Sequence, residues 1–304
     1  MSVTGRATAP RKRDTMRDPR VVAVCSAGIL AALLGIGQLL AADLTGILFS
    51  RGGVRATAQD TVDESAIVIW IAAVAVCLAA AAPRIFLKSV PGHRMRWVLS
   101  GAAAFGALLA APVATAIASW AQVYGSELSQ SRVLRLVCLG VVLGAVVSAA
   151  AVRSKPAAWS LISWVGVVWV LLLVSVRTSP GATPLISHLD PGPQWSSGNR
   201  FLQGSLLLLM VAVLCGAALG VAGIKLRWGR DMRRCRSAIA LMSVAGPLVV
   251  LVAYLTAGVA GGDWNGGHVL NLTAASVLIA TGYWAGACLT KRLRRDGPAG
   301  TMSA

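Results

Sequence analysis

Apolar residues along the chain gather into long runs, which polar and basic segments interrupt. Eight runs are uncharged or nearly so, and each approaches the roughly 20 residues with which a helix crosses a bilayer core. They cover residues 21–42, 65–83, 97–121, 133–152, 157–176, 201–224, 237–259 and 269–290. Backbone polar groups in lipid must be satisfied within their own segment, so we expect all eight runs to be helices. The pattern predicts an all-α, polytopic integral membrane protein with eight transmembrane helices.

Composition agrees with this prediction. Hydrophobic residues make up 56% of the 304 residues and charged residues 13%. Soluble globular domains are about 45–50% apolar and about 25% charged, which excludes an ordinary soluble enzyme. Disordered chains are polar and highly charged, so disorder is excluded as well.

The basic residues predict the orientation of the spans. Of the 28 Lys and Arg residues, 22 lie in the two tails and the even-numbered gaps, and 6 lie on the other side. Cytoplasmic loops are rich in Lys and Arg, so both termini are expected in the cytoplasm. The tails are residues 1–20 and 291–304, both basic and cytoplasmic. A cleaved signal peptide would need a shorter apolar run than 21–42, which favours a retained first span.

The net charge of +17 then has a simple interpretation. Basic loops attract anionic lipids at the cytoplasmic face, so the bilayer is the expected partner and nucleic acid is not. The excess of Arg over Lys, amid abundant Ala, Gly and Val, favours a bacterial protein of the cytoplasmic (inner) membrane.

The order of spans and loops repeats along the chain. Residues 21–152 and 153–290 each read as span, long outer loop, span, basic inner loop, span, short outer loop and span. Three pairs of matching residues lie at an offset of 137: Pro19 with Pro156, Lys88 with Lys225, and Arg96 with Arg233. Four spans per unit predict a 4+4 parallel internal duplication, as in some secondary transporters. Chance identity in a chain rich in Ala, Val and Leu is the alternative.

Three spans carry two glycines one helical turn apart. Such pairs let helix backbones approach closely in lipid. The residues expected at tight helix crossings are Gly140, Gly144, Gly216, Gly220, Gly282 and Gly286.

Catalytic and metal-binding motifs are missing from the sequence. It has no G-x-x-x-x-G-K-[ST], H-E-x-x-H or C-x-x-C pattern, so we expect no enzyme activity, cofactor or metal. The three histidines, His93, His188 and His268, are scattered. Five of the six cysteines lie in predicted spans and Cys235 lies in a cytoplasmic loop, so no disulfide is expected.

A few polar residues inside or beside the spans are candidates for a solute path. They are Gln38, Arg135, Asn271, Thr273 and Tyr283. Arg135 either biases the outer mouth of the path toward anions or extends outward to the membrane surface. Asp43 and Glu64 are expected to be solvated at span ends, which disfavours ion coupling through a buried acid.

Two functions follow from these features. The first is a transporter-like or permease-like protein for a small solute, with passive or partner-driven passage between the two halves. The alternative is a non-transporting membrane scaffold, assembly or sensor subunit. A homo-oligomer or a partner subunit is compatible with either function.

Overall fold

A computed structural model describes most of the first half of the chain and parts of the second. The described residues are 18–48, 58–86, 92–123, 128–151, 155–178, 213–218, 220–221, 244–261 and 266–295. Within them there is no β-strand, which confirms the all-α class for this part of the chain.

Eight helices are described in full. They are α1 (Pro19–Leu44), α2 (Ala58–Phe86), α3 (His93–Leu108), α4 (Ala111–Val123), α5 (Gln130–Ala151), α6 (Lys155–Thr178), α7 (Ala245–Gly261) and α8 (Gly266–Arg295). Residues 213–218 and 220–221 are also helical and are called the sixth-span segment below. Several helices extend past the apolar runs that predict them. In particular, α8 continues through the first residues of the predicted C-terminal tail.

Four described helical stretches are long and apolar enough to cross a membrane. They are Pro19–Leu44, Glu64–Pro83, His93–Trp120 and Gln130–Ala149. Two shorter apolar helices cover Ala157–Val170 and Ala245–Gly258. The architecture is therefore that of a helical membrane protein, while eight spans and a duplication remain predictions. The long loop 177–200 lies outside the described residues, apart from its first two positions at the end of α6.

The first helix has clear start and stop signals. The Asp18 carboxylate accepts a hydrogen bond of 2.9 Å from the backbone N–H of Arg20, and Pro19 occupies the first helical turn. Proline is favoured there because its missing N–H would have no partner in the helix. After Leu44 the chain reverses at Gly46, whose φ of +75° suits a residue without a Cβ.

The third predicted span, residues 97–121, differs from expectation because it is broken. Helix α3 ends at Leu108 and α4 begins at Ala111, with two turn residues between them. Pro112 explains the break, since it has no N–H to donate to Leu108 and its ring crowds that carbonyl. The turn closes with hydrogen bonds of 3.1 Å from Leu109 N to Gly106 O and 3.0 Å from Ala110 N to Ala107 O.

Helix α2 lies at the centre of the described bundle. It packs against α1, α3, α5, α6 and α7. In the most apolar 18-residue stretch of α2, 89% of the stretch is buried, whereas the corresponding value for α1 is 28%. The core of the molecule is therefore built around one helix.

The outer surface of the bundle is apolar, as a surface in lipid must be. In α1 the buried positions are mostly small, at Ala23, Ala27, Ala31, Gly35, Leu39 and Ala42. The opposite face carries Ile29 and Leu33, which are 63% and 65% exposed. Small residues face the neighbouring helices because close backbone approach, rather than escape from water, holds helices together in a membrane.

Candidate functional site

The most distinctive polar group in the bundle lies where α1, α2 and α6 meet. Trp169 of α6 donates its indole N–H to Oε1 of Gln38 in α1 over 3.2 Å. Trp70 of α2 lies beside Trp169, with the two ring centroids 6.5 Å apart and the ring planes tilted by 53°. We call Gln38, Trp70 and Trp169 the indole–amide cluster.

Burial differs among the three members of the cluster. Trp70 is 1% exposed and has no access to the bundle surface. Gln38 and Trp169 are half-buried, so this side of the cluster borders the outer surface of the bundle. The cluster therefore reaches the bundle surface on the side of α1 and α6, although the Nε2 atom of Gln38 and the Nε1 atom of Trp70 are themselves buried.

The direction of the hydrogen bond fixes the orientation of the amide. An indole nitrogen can donate but cannot accept, so the oxygen of Gln38 must face Trp169. The amide nitrogen Nε2 of Gln38 is left buried without a hydrogen-bond partner among the described residues, as is Nε1 of Trp70. A buried donor without a partner costs about 1–3 kcal/mol. The cluster therefore holds two donors that would each gain from an acceptor.

A third buried indole N–H, on Trp164, also lacks a partner in the described structure. It belongs to a different contact. A Cβ placed on Gly246 of α7 would lie 2.5 Å from Cβ of Trp164, so this side chain fills the α6–α7 crossing. The backbone N–H of Gly246 also donates to Oγ of Ser160 over 3.4 Å, which ties the same two helices together.

The expectation for Glu64 is wrong. Its side chain is not solvated but 8% exposed, next to Ser65, which is fully buried. Both residues make polar or ring contacts within the fold. Glu64 is the first residue of the apolar stretch of α2, so the sequence gives its position in the span correctly. Its burial comes from the neighbours that surround the central helix.

Arg135 lies away from the cluster. It is on the exposed face of α5, together with Leu134, Cys138 and Leu139. Its Nε donates to the backbone oxygen of Ser131 over 3.3 Å, one turn toward the start of the helix. This geometry fits a side chain that extends to the membrane surface, rather than one that lines an internal path.

The remaining path candidates lie on α8. Tyr283 is buried, at 3% exposure, on the helix face that also carries Ile279 and Gly286. Thr273 is exposed, and the Asn271 side chain lies outside the described residues. Helix α8 packs against α7, whereas Gln38 belongs to α1 and is hydrogen-bonded to Trp169 of α6. The described contacts therefore do not join Tyr283 to Gln38 in one site.

Glycine pairs lie at two close helix crossings. A Cβ on Gly140 would collide with the backbone oxygen of Ile69 in α2, and one on Gly144 would lie 2.6 Å from that of Ala73. In α8, a Cβ on Gly282 or Gly286 would lie 2.5 Å from the oxygen of Val213 or Ala217 in the sixth-span segment. These crossings admit no side chain.

Gly216 and Gly220 lie in the sixth-span segment itself. A Cβ on Gly216 would collide with the backbone oxygen of Ile279 in α8. Gly220 is buried. The sixth-span segment and α8 thus approach each other through glycines on both sides.

Sequence reasoning missed both tryptophans of the indole–amide cluster. Their positions within apolar runs were a usable signal, because tryptophan in membrane proteins concentrates at the interfaces. Trp70 and Trp169 instead lie well inside α2 and α6.

The described residues show neither a metal-binding group nor a disulfide. They contain no group of three or more His, Cys, Asp or Glu side chains that could hold a metal ion. Five cysteines are described, and all five are free thiols. Cys235 lies outside the described residues.

Comparison with known proteins gives no relative. No protein-family model, curated protein or solved structure matches the chain.

Proposed function

We propose that the protein is a permease-like protein of the cytoplasmic membrane, which binds a small solute at the indole–amide cluster. One observation carries the proposal: Gln38 Nε2 and Trp70 Nε1 are buried donors with no partner in the described structure. Lipid chains offer them no acceptor, and a bound solute does.

The position of the cluster supports this function. Gln38 and Trp70 belong to the first predicted four-helix unit, and Trp169 belongs to the second. The cluster therefore bridges the two units, where transporters built from repeats bind their substrates. The proposed path lies beside α2 and replaces the wider path through Arg135 and α8.

Helix contacts support the underlying duplication. In the first unit, α1 crosses α3 where a Cβ on Gly106 would collide with Gly28, and α2 crosses α5 at Gly140 and Gly144. The first predicted span therefore packs on the third, and the second packs on the fourth.

The second unit repeats these pairings. Helix α6 crosses α7 at Gly246, and the sixth-span segment crosses α8 at Gly216 and Gly282. The fifth predicted span therefore packs on the seventh, and the sixth packs on the eighth. Shared pairings, each made at glycine, are difficult to attribute to composition alone.

Proline positions add to the same argument. Pro112 lies near the start of α4, and Pro247 lies near the start of α7. Their separation of 135 is close to the offset of 137 that aligns the other matching residues.

The energy source for transport is proposed to lie outside this chain. The sequence contains no nucleotide-binding loop, so passage is passive or driven by a partner subunit. We propose that both termini lie in the cytoplasm, and the excess of Lys and Arg in the tails and inner loops supports this orientation.

Uptake into proteoliposomes tests the proposal. The wild-type chain would be reconstituted and assayed with a panel of labelled neutral, anionic and amphiphilic small solutes. We expect at least one solute to enter faster than into protein-free liposomes, and Gln38→Leu to remove that difference. Trp97→Phe, which alters an exposed tryptophan on α3, is the control and should behave as wild type.

Two results would contradict the proposal. One is entry of every solute at the rate of protein-free liposomes. The other is a solute whose entry is unchanged in both Gln38→Leu and Trp70→Phe. Either result would favour the scaffold or assembly function.

A further inference from the structure

The free polar atoms of the indole–amide cluster are all donors. Gln38 has one acceptor atom, Oε1, which already has a partner because it accepts a 3.2 Å hydrogen bond from Trp169. What remains unpaired within the described structure is the amide nitrogen of Gln38 and the indole nitrogen of Trp70. A ligand therefore gains most at this site by supplying acceptors, because the two unpaired donors are buried at a cost until they find one.

The charged residues near the cluster narrow the class of ligand further. Arg135 lies on the exposed face of α5, a helix that contributes no member of the cluster, and it bonds to Ser131 of its own helix, so we assign it no role in compensating an anion. The nearest acids on the helices of the cluster are Asp43, about 7.5 Å from Gln38 along α1, and Glu64, about 9 Å from Trp70 along α2. An ion without a counterion is costly to bury in an apolar medium. The site therefore favours a neutral acceptor.

The exposure of the cluster determines where its ligand must be soluble. Trp70 is fully buried, whereas Gln38 and Trp169 are half-buried on helices with apolar outer faces. The open side of the cluster thus faces the surrounding lipid. A ligand that reaches it must dissolve in the bilayer, and the indole rings offer it a flat apolar wall.

We propose that the cluster binds a neutral, membrane-soluble molecule through a carbonyl-type oxygen, which accepts from Gln38 Nε2 and Trp70 Nε1. This assignment rests on the proposed function and names its solute class. A carbonyl oxygen has two lone pairs and so can accept from two donors.

Three matched naphthalenes test the class. 2-Acetylnaphthalene carries a neutral carbonyl, 2-ethylnaphthalene has a similar shape without one, and 2-naphthoate is an anion. Equilibrium dialysis against the full chain in lipid nanodiscs, corrected for empty nanodiscs, measures saturable binding. We expect the ketone to bind about threefold to tenfold more tightly than the hydrocarbon, the usual value of one hydrogen bond. The anion should bind more weakly than the ketone.

Variants then locate the bond. Gln38→Leu and Trp70→Phe should each reduce the preference for the ketone over the hydrocarbon. Trp164→Phe removes a buried indole N–H at the α6–α7 crossing instead, and should keep the preference. Trp169→Phe frees the oxygen of Gln38, so 2-naphthol, a hydrogen-bond donor, should gain affinity relative to the ketone.

The outcomes separate the two proposals. Equal binding of the ketone and the hydrocarbon to the wild-type chain, or tighter binding of 2-naphthoate, overturns the solute class and needs no variant. If uptake of another solute still depends on Gln38, the proposed function stands without that class. If neither uptake nor binding depends on Gln38 or Trp70, both proposals are wrong.

Discussion

The thiol of Cys77 donates a hydrogen bond of 3.4 Å to the backbone oxygen of Gly144, where α2 and α5 cross. At the same crossing, a Cβ on Gly144 would lie 2.8 Å from Cβ of Val76. A hydrogen bond from a side chain to the facing backbone is possible because the glycine leaves that backbone uncovered. The closest contacts of the central helix thus depend on the absence of side chains.

Replacing Gly144 with leucine should therefore lower the free energy of unfolding by about 1–3 kcal/mol or more, the cost of overpacking. The measurement is a denaturant titration of the protein in mixed micelles. Gly101→Leu is the matched control, because a Cβ at Gly101 meets nothing within 4 Å. A Gly144→Leu protein as stable as the control would show that the α2–α5 crossing is looser than described.

Ser148 and Ser100 join α5 to α3 through a buried hydrogen bond of 2.8 Å between their hydroxyls. Alanine at either position should destabilise the protein, and the two losses should not add. Hydrogen bonds between membrane helices average about 0.6 kcal/mol and reach about 1.7 kcal/mol. A double-mutant cycle measures this coupling energy, and a value of zero would contradict the contact.

Stability and function should oppose each other at Gln38. In a Trp169→Phe background, both polar atoms of the Gln38 amide lack a partner in the described structure. Adding Gln38→Leu should then recover about 1–3 kcal/mol, the cost of a buried unsatisfied group. Thermal unfolding of the single and double variants compares them. Further destabilisation by the second substitution would mean that Gln38 has a structural partner elsewhere.

Thiol reactivity should follow position in the bundle. Cys138 is exposed on α5, whereas Cys77 is buried at the α2–α5 crossing. With single-cysteine variants in membranes, a lipophilic maleimide should label Cys138 well before Cys77, and both equally after denaturation.

The native protein should also migrate identically on reduced and non-reduced gels after thiols are blocked before lysis. A disulfide-dependent shift would contradict the cytoplasmic and intramembrane placement of the thiols.

Membrane orientation is testable with the same cysteine-free background. Single cysteines at position 60, near the start of α2, and at position 190 should react with an impermeant maleimide from outside the cell, because both lie between predicted spans in segments poor in Lys and Arg. A cysteine at position 92, between α2 and α3, is the inner control. Labelling of 60 or 190 from the cytoplasm alone would reverse the proposed topology.

The sequence predicts the helices well because length and apolarity decide them locally. The start of α1 at Pro19 follows from Asp18 and the proline, and the break after α3 follows from Pro112. That break was visible in the sequence, although the apolar run alone gives one uninterrupted span. Local chemistry was sufficient there.

The candidate site was predicted only in part, because its members meet through packing. Gln38 stands out as a polar residue in an apolar run, but nothing local pairs it with Trp169. The burial of Glu64 likewise depends on the helices that enclose α2. The sequence places Arg135 within α5, but the apolarity of the surrounding run does not show which face of that helix packs inside the bundle. The sequence alone therefore could not decide whether the Arg135 side chain points inward or outward.

The central position of α2 has a consequence for how the protein is made. Its apolar stretch is the most hydrophobic of the four candidate spans, although it is also the most enclosed by protein. A helix surrounded by other helices has little need of such lipid solubility in its final place. It needs that solubility on leaving the insertion machinery, before α3, α5, α6 and α7 have been synthesised. A charged substitution on α2 would thus face two successive barriers during biogenesis, first at insertion and then at assembly.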